Sequence, residues 1–391
     1  MIVPTILLAV AVQGGDSLTL DSALMLAREH RAQVVMAAAL VAEARADWRA
    51  SVAIPNPTVT YSYTGDTPTQ HVTIDQSLEW LIRRGSLTAA GRAGVEEAVA
   101  DSVSILAQVE RGTRLAYYAA MGAGRKVTLA REDAAIADSL AMLASNRFAA
   151  GEIARLDEAQ AALEAARVRQ LVSVSREEYA VAIAALGRAL GIPAASLPPP
   201  GGALDAALAD STLPPARLEE LPAVVAARAG WAAAAARFRV ARKARIPLPS
   251  LQAGAEWNNP GTGSTVVLGV SLPFPLWQSG GAQAALAGAR AEEARATLRE
   301  TEDEAQRLLA ETTTRVQETA RRALVARDSI LPLARRQREL ALQTFQAGET
   351  DMILVLEMLR AERAVARALV DDLMAYQRAR ADWIALRGGN R

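Results

Sequence analysis

The chain has 391 residues with 43 basic and 43 acidic side chains, so its formal net charge is zero and gives no electrostatic footprint for nucleic acid. It contains no cysteine, which excludes disulfides and thiolate metal sites. Aromatic residues make up 4% of the chain and alanine dominates the 51% hydrophobic share. This composition is typical of long helices that pack closely, because small side chains permit short interaxial distances.

The first element in chain order is an apolar run over residues 6–12. It includes the triplet Ala9-Val10-Ala11, of a kind that signal peptidases accept, although no Lys or Arg precedes the run. Residues 1–15 are therefore predicted to be an incomplete signal peptide. A buried N-terminal strand is the alternative.

Residues 16–200 are predicted to form a first repeat of helix, β-hairpin, very long helix and helix. Strict alternation in the hairpin sends apolar side chains to one face and polar side chains to the other. The long helix has no proline and, at 1.5 Å per residue, measures roughly 96 Å, too long for a compact domain. In order, the predicted elements are a helix over 21–48, a hairpin over 57–80 and helices over 85–148 and 153–190.

A Pro/Gly-rich linker over 191–222 precedes a second repeat over 218–391. Ile54-Pro-Asn-Pro57 returns 192 residues later as Ile246-Pro-Leu-Pro249, and Arg147-Phe-Ala-Ala-Gly-Glu152 returns 197 residues later as Thr344-Phe-Gln-Ala-Gly-Glu349. The near-constant offset indicates one structural unit that occurs twice. The second set of predicted elements is a helix over 218–245, a hairpin over 250–272 and helices over 281–345 and 352–386.

The four predicted strands are too few to close a barrel, and each hairpin has an apolar face that needs a partner. We therefore expect two, three or four chains to share one sheet. Three or more chains would leave an aqueous passage inside it. Strands of about nine or ten residues match the hydrocarbon thickness of a membrane when they are tilted.

Two segments resemble those of the TolC family of outer-membrane efflux proteins. Phe148-Ala-Ala-Gly-Glu-Ile-Ala-Arg-Leu-Asp157 is similar to the family's helix turn, and Leu272-Pro-Phe-Pro-Leu-Trp277, followed by Gly280-Gly281, is similar to its strand-to-helix transition. The resemblance covers the chain from about Leu18 to Leu386. It is closest to the heavy-metal and multidrug branch that works with pumps of the resistance-nodulation-division type.

The resemblance implies a mainly α fold with a membrane β-barrel, located in the outer membrane of a Gram-negative-type bacterium. A homotrimer would form a twelve-stranded barrel and a twelve-helix periplasmic tunnel. The implied function is an exit duct that passively conducts substrates to the outside. Its implied partners are a periplasmic adaptor of the membrane fusion type, an inner-membrane pump and outer-membrane lipid.

A passive conduit needs a polar lining and a membrane-facing band. An acidic lining would favour cations over anions. Aromatic residues at strand ends would form a girdle, although ordinary sheet packing is the alternative. A metal site at His71 and Asp75 is rejected because four residues of strand separate their backbones by roughly 13 Å. The lining candidates are His71, Asp75, Glu79, Gln252, Glu256 and Asn258, and the girdle candidates are Tyr61, Tyr63, Trp80 and Trp257.

The two Gly-Glu helix turns are the predicted aperture. Glycine permits the left-handed backbone at which one helix ends, and in the family these turns form the constricted periplasmic end and meet the adaptor. Asp157 and Asp351 would ring the aperture in threefold symmetry, where repulsion between like charges or pairing with Arg147 and Arg155 would set the resting state. Capping of helix N-termini by these acids is the alternative, and both can hold. The residues are Arg147, Gly151, Glu152, Arg155, Asp157, Gly348, Glu349 and Asp351.

The sequence does not support an enzymatic function. There are two histidines, Gly261-Thr-Gly263 lacks the context of a phosphate loop, and neither Gly-x-Ser-x-Gly nor His-Glu-x-x-His occurs. We expect no enzyme and no cofactor. The alternative function is a soluble, elongated coiled-coil scaffold or adaptor without a channel, which membrane fractionation would distinguish.

Overall fold

The computed structural model describes residues 17–66, 68–206, 208, 213–257, 263–275 and 279–389. The predicted signal peptide and Asn258 lie outside these ranges. The helices are α1 (Leu20–His30), α2 (Ala32–Ser51), α3 (Glu79–Ala149), α4 (Arg155–Leu190), α5 (Pro222–Lys243), α6 (Gly281–Val325), α7 (Leu331–Gln346) and α8 (Met352–Leu386). The strands are β1 (Thr58–Tyr63), β2 (Gln70–Ser77), β3 (Ser250–Trp257) and β4 (Thr265–Ser271).

The chain is mainly helical, which confirms the α class predicted from its alanine-rich composition. No helix in the described ranges combines the length and the apolar character needed to cross a membrane. The chain divides into two compact units: Met1–Val34, Leu106–Pro215 and Leu308–Arg391 form the first, and Val35–Ile105 with Ala216–Arg307 form the second.

The first unit is held by several clusters of small and medium apolar side chains. Around α1, Leu18 is fully buried, and the Tyr117 hydroxyl lies 2.9 Å from the Leu18 carbonyl oxygen and 2.6 Å from that of Gly201. Burial raises the pKa of Tyr117 to about 12, so the phenol stays a hydrogen-bond donor at neutral pH. This hydroxyl joins the N-terminal segment to the linker between the predicted repeats.

The second unit contains one antiparallel sheet with strand order β1-β2-β3-β4. The two hairpins join through the β2–β3 ladder, which runs from Gln70 opposite Trp257 to Ser77 opposite Ser250. A Cβ on Gly254 would lie 2.8 Å from the Val72 carbonyl oxygen, so glycine permits the close approach of the two strands here.

Long helices of the second unit pack through small residues and ion pairs. A Cβ at Gly91 would lie 2.2 Å from the Trp48 ring, so α3 can contact α2 closely only because this residue is glycine. Arg237 on α5 donates a 2.8 Å hydrogen bond to Glu97 on α3. The Gly91 contact fits the prediction that small side chains bring these helices together, and the ion pair adds a polar contact between α3 and α5.

The prediction of one helix over 21–48 is wrong, because the chain breaks at Arg31, whose backbone is extended with φ −75° and ψ 120°. The guanidinium of Arg31 donates a 2.8 Å hydrogen bond to the carbonyl of Arg188 near the end of α4. A Cβ on Gly191 would lie 2.9 Å from the His30 carbonyl oxygen. The close approach to the end of α4 therefore fixes the break between α1 and α2.

The predicted helix over 281–345 is interrupted by a π turn at Ala326–Ile330. Pro332 follows it and has no N–H to donate. The Leu331 N–H bonds the Ala326 carbonyl, five residues earlier, in place of the usual four. The proline explains the interruption, and the sequence prediction overlooked it.

The alternating pattern predicts a first hairpin that extends to residue 80 and a helix that begins at 85, but β2 ends at Ser77 and α3 begins at Glu79. The Ser77 hydroxyl accepts a 3.3 Å hydrogen bond from the Glu79 N–H, and Glu79 pairs with Arg83 one turn later. These helix-stabilising contacts override the alternating pattern. The prediction that Glu79 and Trp80 lie on the strand is wrong.

Candidate functional site at the polar sheet face and the helix turns

One face of the four-stranded sheet carries polar side chains that meet across the β2–β3 ladder. Nδ1 of His71 lies 3.2 Å from Oε1 of Glu256, its cross-strand partner. Oδ2 of Asp75 accepts hydrogen bonds from Nε2 of Gln252 at 2.8 Å and from Oγ of Ser250 at 3.0 Å. Four of the six predicted lining residues therefore form two cross-strand clusters on the same face.

The two polar clusters stay separate from each other along the sheet. His71 and Asp75 pair with different residues of β3, as expected for side chains four residues apart on a strand. Within the described ranges, no group of three or more His, Cys, Asp or Glu side chains is placed to hold a metal ion. The arrangement presents polar and acidic groups without gathering them round one ion.

The opposite face of the sheet is apolar and exposed. On β4, Val266, Leu268 and Val270 are 71%, 79% and 68% exposed. The girdle candidates Tyr61 and Tyr63 on β1 are 60% and 68% exposed, and their register with β2 places Tyr61 opposite Val72. Trp257 ends β3 opposite Gln70 and is half-buried. The sheet therefore has one polar and one apolar face. Trp80 is not part of it, because this residue lies in the first turn of α3.

Each of the two helix turns ends in a glycine with left-handed backbone. Gly151 has φ +76° and Gly348 has φ +78°. After each glycine the N–H of the glutamate bonds back to a carbonyl five residues earlier: Glu152 to Arg147 and Glu349 to Thr344, both at 2.9 Å. The two turns thus share one C-terminal helix cap, of the type that requires glycine.

Arg147 links the first turn to the second. Its guanidinium donates hydrogen bonds to the carbonyls of Phe345 at 3.1 Å and Gln346 at 3.4 Å, and its Nε lies 3.7 Å from a carboxylate oxygen of Glu152. Carbonyls at a helix C-terminus have no partner within the helix. Arg147 therefore caps α7 from a neighbouring helix, a role that its sequence position beside Glu152 did not indicate.

The acids predicted at the aperture occupy different positions in their helices. Asp351 is the N-cap of α8 but makes no side-chain capping bond. Asp157 lies in the first turn of α4, after the N-cap Ala154. Both positions favour a negative charge through the helix dipole. Arg155 is exposed, and no hydrogen bond or ion pair of its side chain falls within the described part of the chain.

Sequence reasoning missed a buried ion cluster in the first unit. Glu164 on α4, whose side chain is 3% exposed, accepts hydrogen bonds from Arg360 at 2.9 and 2.7 Å and from Arg363 at 2.9 Å. Arg363 also lies 3.2 Å from Asp133 on α3. Burial opposes ionisation of Glu164, but the two guanidiniums outweigh it and lower its pKa. For Asp133 burial wins over Arg363 and raises the pKa.

A signal for this cluster was present in the helical spacing. Glu164 falls in the same register as the buried Ala161, Ala165 and Val168, so its carboxylate sits on the packed stripe of α4. A buried carboxylate needs a cation, and arginines three residues apart on another helix share a face. No local sequence pattern shows that these two helices pack against each other.

A family-wide sequence model described as outer membrane efflux protein matches residues 213–388. Protein CyaE of Bordetella pertussis is 31% identical over 231 residues, which are 54% of this chain and 47% of CyaE. The chain thus spans about half the length of the curated relative that it matches.

Solved structures agree over nearly the whole chain. CusC superposes with a TM-score of 0.80 over 95% of this chain and 92% of CusC, at 18% identity. The outer membrane protein VceC of Vibrio cholerae gives a TM-score of 0.77 over 95% of this chain and 96% of VceC, at 19% identity. At these identities the likeness establishes the fold. The family model and the solved structures therefore agree, since residues 213–388, which match the outer membrane efflux protein model, belong to a chain with the fold of CusC and VceC.

Proposed function

We propose that the chain forms the outer-membrane exit duct of a tripartite efflux system and passively conducts substrates from the periplasm to the outside. The observation that carries the proposal is the single sheet with a polar face and an exposed apolar face. An apolar face of this kind suits lipid, and a polar face suits an aqueous passage. The alternative of a scaffold without a channel has no support from the related proteins.

A homotrimer is the assembly that the family resemblance implies, and the edges of the sheet support the joining of several chains. In the described ranges β1 pairs only with β2, and β4 only with β3, so each outer edge carries backbone groups that need partners. Three copies joined edge to edge would close a twelve-stranded barrel and remove the edges. The long helices of the three copies would continue it as the periplasmic tunnel of twelve helices.

The lining of the passage would carry the cross-strand clusters of His71 with Glu256 and Asp75 with Gln252. Three copies would repeat the acidic groups round the passage, and a ring of carboxylates favours cations. Asn258 remains a lining candidate from its position after β3. Tyr61, Tyr63 and Trp257 would contribute to the aromatic girdle at the membrane surface.

The periplasmic aperture would lie at the turns of Gly151 and Gly348. Here Glu152, Glu349, Asp157 and Asp351 would supply negative charge, and Arg147 ties one turn to the other. The partners would be a periplasmic adaptor protein that meets these turns and an inner-membrane pump that delivers the substrate. The chemistry of the conduit gives no ground for an enzymatic reaction.

The test is single-channel conductance of the purified full chain in planar bilayers with a salt gradient across the bilayer. We expect discrete pores with a cation-selective reversal potential. Asp75→Asn combined with Glu256→Gln should move the reversal potential towards zero, while Glu177→Gln, on the exposed side of α4, should leave it unchanged. Recovery of the protein without detergent and without pores would overturn the proposal.

The aperture is tested separately with Asp157→Ala combined with Asp351→Ala. If these acids restrict the aperture, the double variant should conduct more than the wild-type protein. Unchanged conductance would remove them from the gate while leaving the channel function in place.

A further inference from the structure

A cavity of about 570 Å³ lies within the first unit, between α3, the segment 199–205, the start of α7 and α8. This volume is in the range of pockets that bind drug-sized ligands. Its floor consists of apolar side chains that also belong to the core, among them Leu129, Leu331, Leu369 and Leu373, each 8% or 9% exposed. The floor is therefore a packed surface that exists without a ligand.

The wall formed by residues 203–205 is fixed by polar contacts. Nε2 of the buried Gln377 donates a 2.6 Å hydrogen bond to the Leu204 carbonyl, and Nη1 of Arg327 lies 3.5 Å from Oδ2 of Asp205. Arg327 belongs to the π turn and is also held by Asp328. The cavity is thus preformed, which lowers the cost of ordering it on binding.

Two arginines at the cavity keep most of their hydrogen-bonding capacity. Arg125 is half-exposed, and its nearest carboxylate, Glu132, is 3.7 Å away. Arg335 is 56% exposed and lies 3.5 Å from Glu362, whose other oxygen is taken by Arg338 at 2.9 Å. Both distances exceed those of a strong charge-assisted hydrogen bond. Arg327 is already paired with Asp205 and Asp328, so Arg125 and Arg335 are the guanidiniums at the cavity whose N–H donors stay open to a ligand.

We propose that this cavity is a binding site for an amphiphilic monocarboxylate, with its apolar body on the leucine floor and its carboxylate between Arg125 and Arg335. Guanidinium groups bind carboxylates in a two-pronged geometry that a neutral head group cannot use. The site is separate from the sheet face and the helix turns, so the inference does not depend on the channel function.

The experiment uses a photoreactive long-chain fatty acid with a diazirine on its chain, added to the full chain in lipid nanodiscs. After irradiation, mass spectrometry locates the labelled peptides. We expect labelling of the peptides that contain Leu369 to Leu373 and Ala120 to Leu129. Excess unlabelled fatty acid should compete for the site, and its methyl ester should not.

Matched variants separate the parts of the site. Ala366→Leu fills the cavity and should reduce this labelling at least tenfold, whereas Arg125→Gln combined with Arg335→Gln should reduce it about tenfold through loss of charge-assisted hydrogen bonds. Arg336 is the exposed neighbour of Arg335 and lies outside the cavity. The variant Arg336→Gln should therefore be labelled as strongly as the wild type. The melting temperature of each variant shows whether it folds.

Three outcomes would overturn the proposal. Labelling of folded Ala366→Leu at the wild-type level would place the probe elsewhere. Equal competition by the methyl ester would remove the role of the arginines. Absence of labelling in the wild type, as expected if a second copy of the chain covered the cavity, would remove the site, while pore conductance would be unaffected in every case.

Discussion

The guanidinium of Arg147 lies 4.5 Å from the ring centroid of Phe345 and donates a hydrogen bond to the carbonyl of the same residue at 3.1 Å. One side chain of α3 thus binds both the aromatic ring and the helix end of α7. In the second turn the position of Arg147 is occupied by Thr344, whose hydroxyl bonds its own helix at Leu340. The link between the two turns is therefore one-sided, although the turns share their backbone geometry.

Replacement of Arg147 by methionine should loosen both turns. The variant keeps an apolar stem but loses the hydrogen bonds and the cation–π contact, together worth about 1–2 kcal/mol at a partly buried site. Amides of residues 148–152 and 345–349 should exchange with deuterium roughly tenfold faster, because 1.4 kcal/mol corresponds to a factor of ten. Hydrogen–deuterium exchange with mass spectrometry measures this change.

Arg155→Met is the control, since Arg155 is an exposed arginine just beyond the same turn. It should leave exchange in 345–349 at the wild-type rate. Equal acceleration by both substitutions would mean that general loss of positive charge, and not the Arg147 bridge, holds the turns.

Glu164→Gln should destabilise the first unit, because it leaves Arg360 and the 12%-exposed Arg363 without their shared carboxylate. Removal of one partner from a buried ion pair costs about 3–5 kcal/mol, and the partial exposure of Arg360 places the expected loss near 3 kcal/mol. Thermal or denaturant unfolding followed by circular dichroism measures it. Glu177→Gln, on an exposed side of the same helix, should change the stability by less than about 0.5 kcal/mol.

The same pair of proteins gives a pH test. The pKa of Glu164 is lowered below its ordinary value of 4.5 despite burial, because both arginines stabilise the carboxylate. Its contribution is therefore fully present above pH 4.5 and is lost as the pH falls through the lowered pKa. The stability gap between wild type and Glu164→Gln should close in that acid range. Asp133 acts in the opposite sense, since burial raises its pKa, and because it shares Arg363 with Glu164 its titration also contributes to the difference.

The sheet and the helix turns were accessible from sequence because they depend on local rules. Alternation of polar and apolar residues placed His71, Asp75, Gln252 and Glu256 on one face, and the β2–β3 register brings them together there. The glycines of the two turns were identified from their repeated context, and both have positive φ. The polar face and the turn glycines can therefore be predicted from local periodicity and from the backbone freedom of glycine, without the tertiary structure.

The contacts that join distant segments could not be predicted in this way. Arg147 lies 198 residues from Phe345, and Glu164 lies 196 residues from Arg360. Which helix faces which is decided by packing of long amphipathic surfaces, and no local pattern records it. The prediction for Glu79 is wrong for a different reason. A serine cap and an ion pair with Arg83 start a helix where alternation alone predicts a strand.

Alanine at Gly151 or Gly348 should destabilise the corresponding turn. Nothing lies within 4 Å of a Cβ placed at either glycine, so the cost comes only from the left-handed backbone, about 1–2 kcal/mol. Gly112→Ala is the control and should change the stability in the opposite direction. Gly112 is an exposed residue of α3 that also has free space around it but does not have a positive φ. Alanine there should stabilise by up to about 1 kcal/mol. Denaturant midpoints of the three variants measure the difference, and a loss at Gly112 equal to that at the turns would contradict the backbone explanation.

Gly254→Ala should separate the two hairpins at the middle of the sheet. A Cβ there would lie 2.8 Å from the backbone oxygen of Val72 and 2.9 Å from Cγ2 of Thr73. The backbone of β2 cannot yield without lengthening the ladder that joins the hairpins, and overpacking of this kind costs about 1–3 kcal/mol. Hydrogen exchange at the amides of residues 72–75 should accelerate, and fewer pores should form in planar bilayers.

Gly269→Ala tests whether this effect belongs to the β2–β3 junction. Gly269 lies in the same sheet on β4, directly opposite Gln252, and a Cβ there would come no closer than 3.4 Å to the Gln252 side chain, whose far end can move. Exchange at 72–75 and pore formation should therefore stay at the wild-type level. If both glycine substitutions impaired the sheet equally, loss of flexibility would be the cause. If neither did, β2 and β3 would tolerate separation, and the joined four-stranded sheet would not be required for the pore.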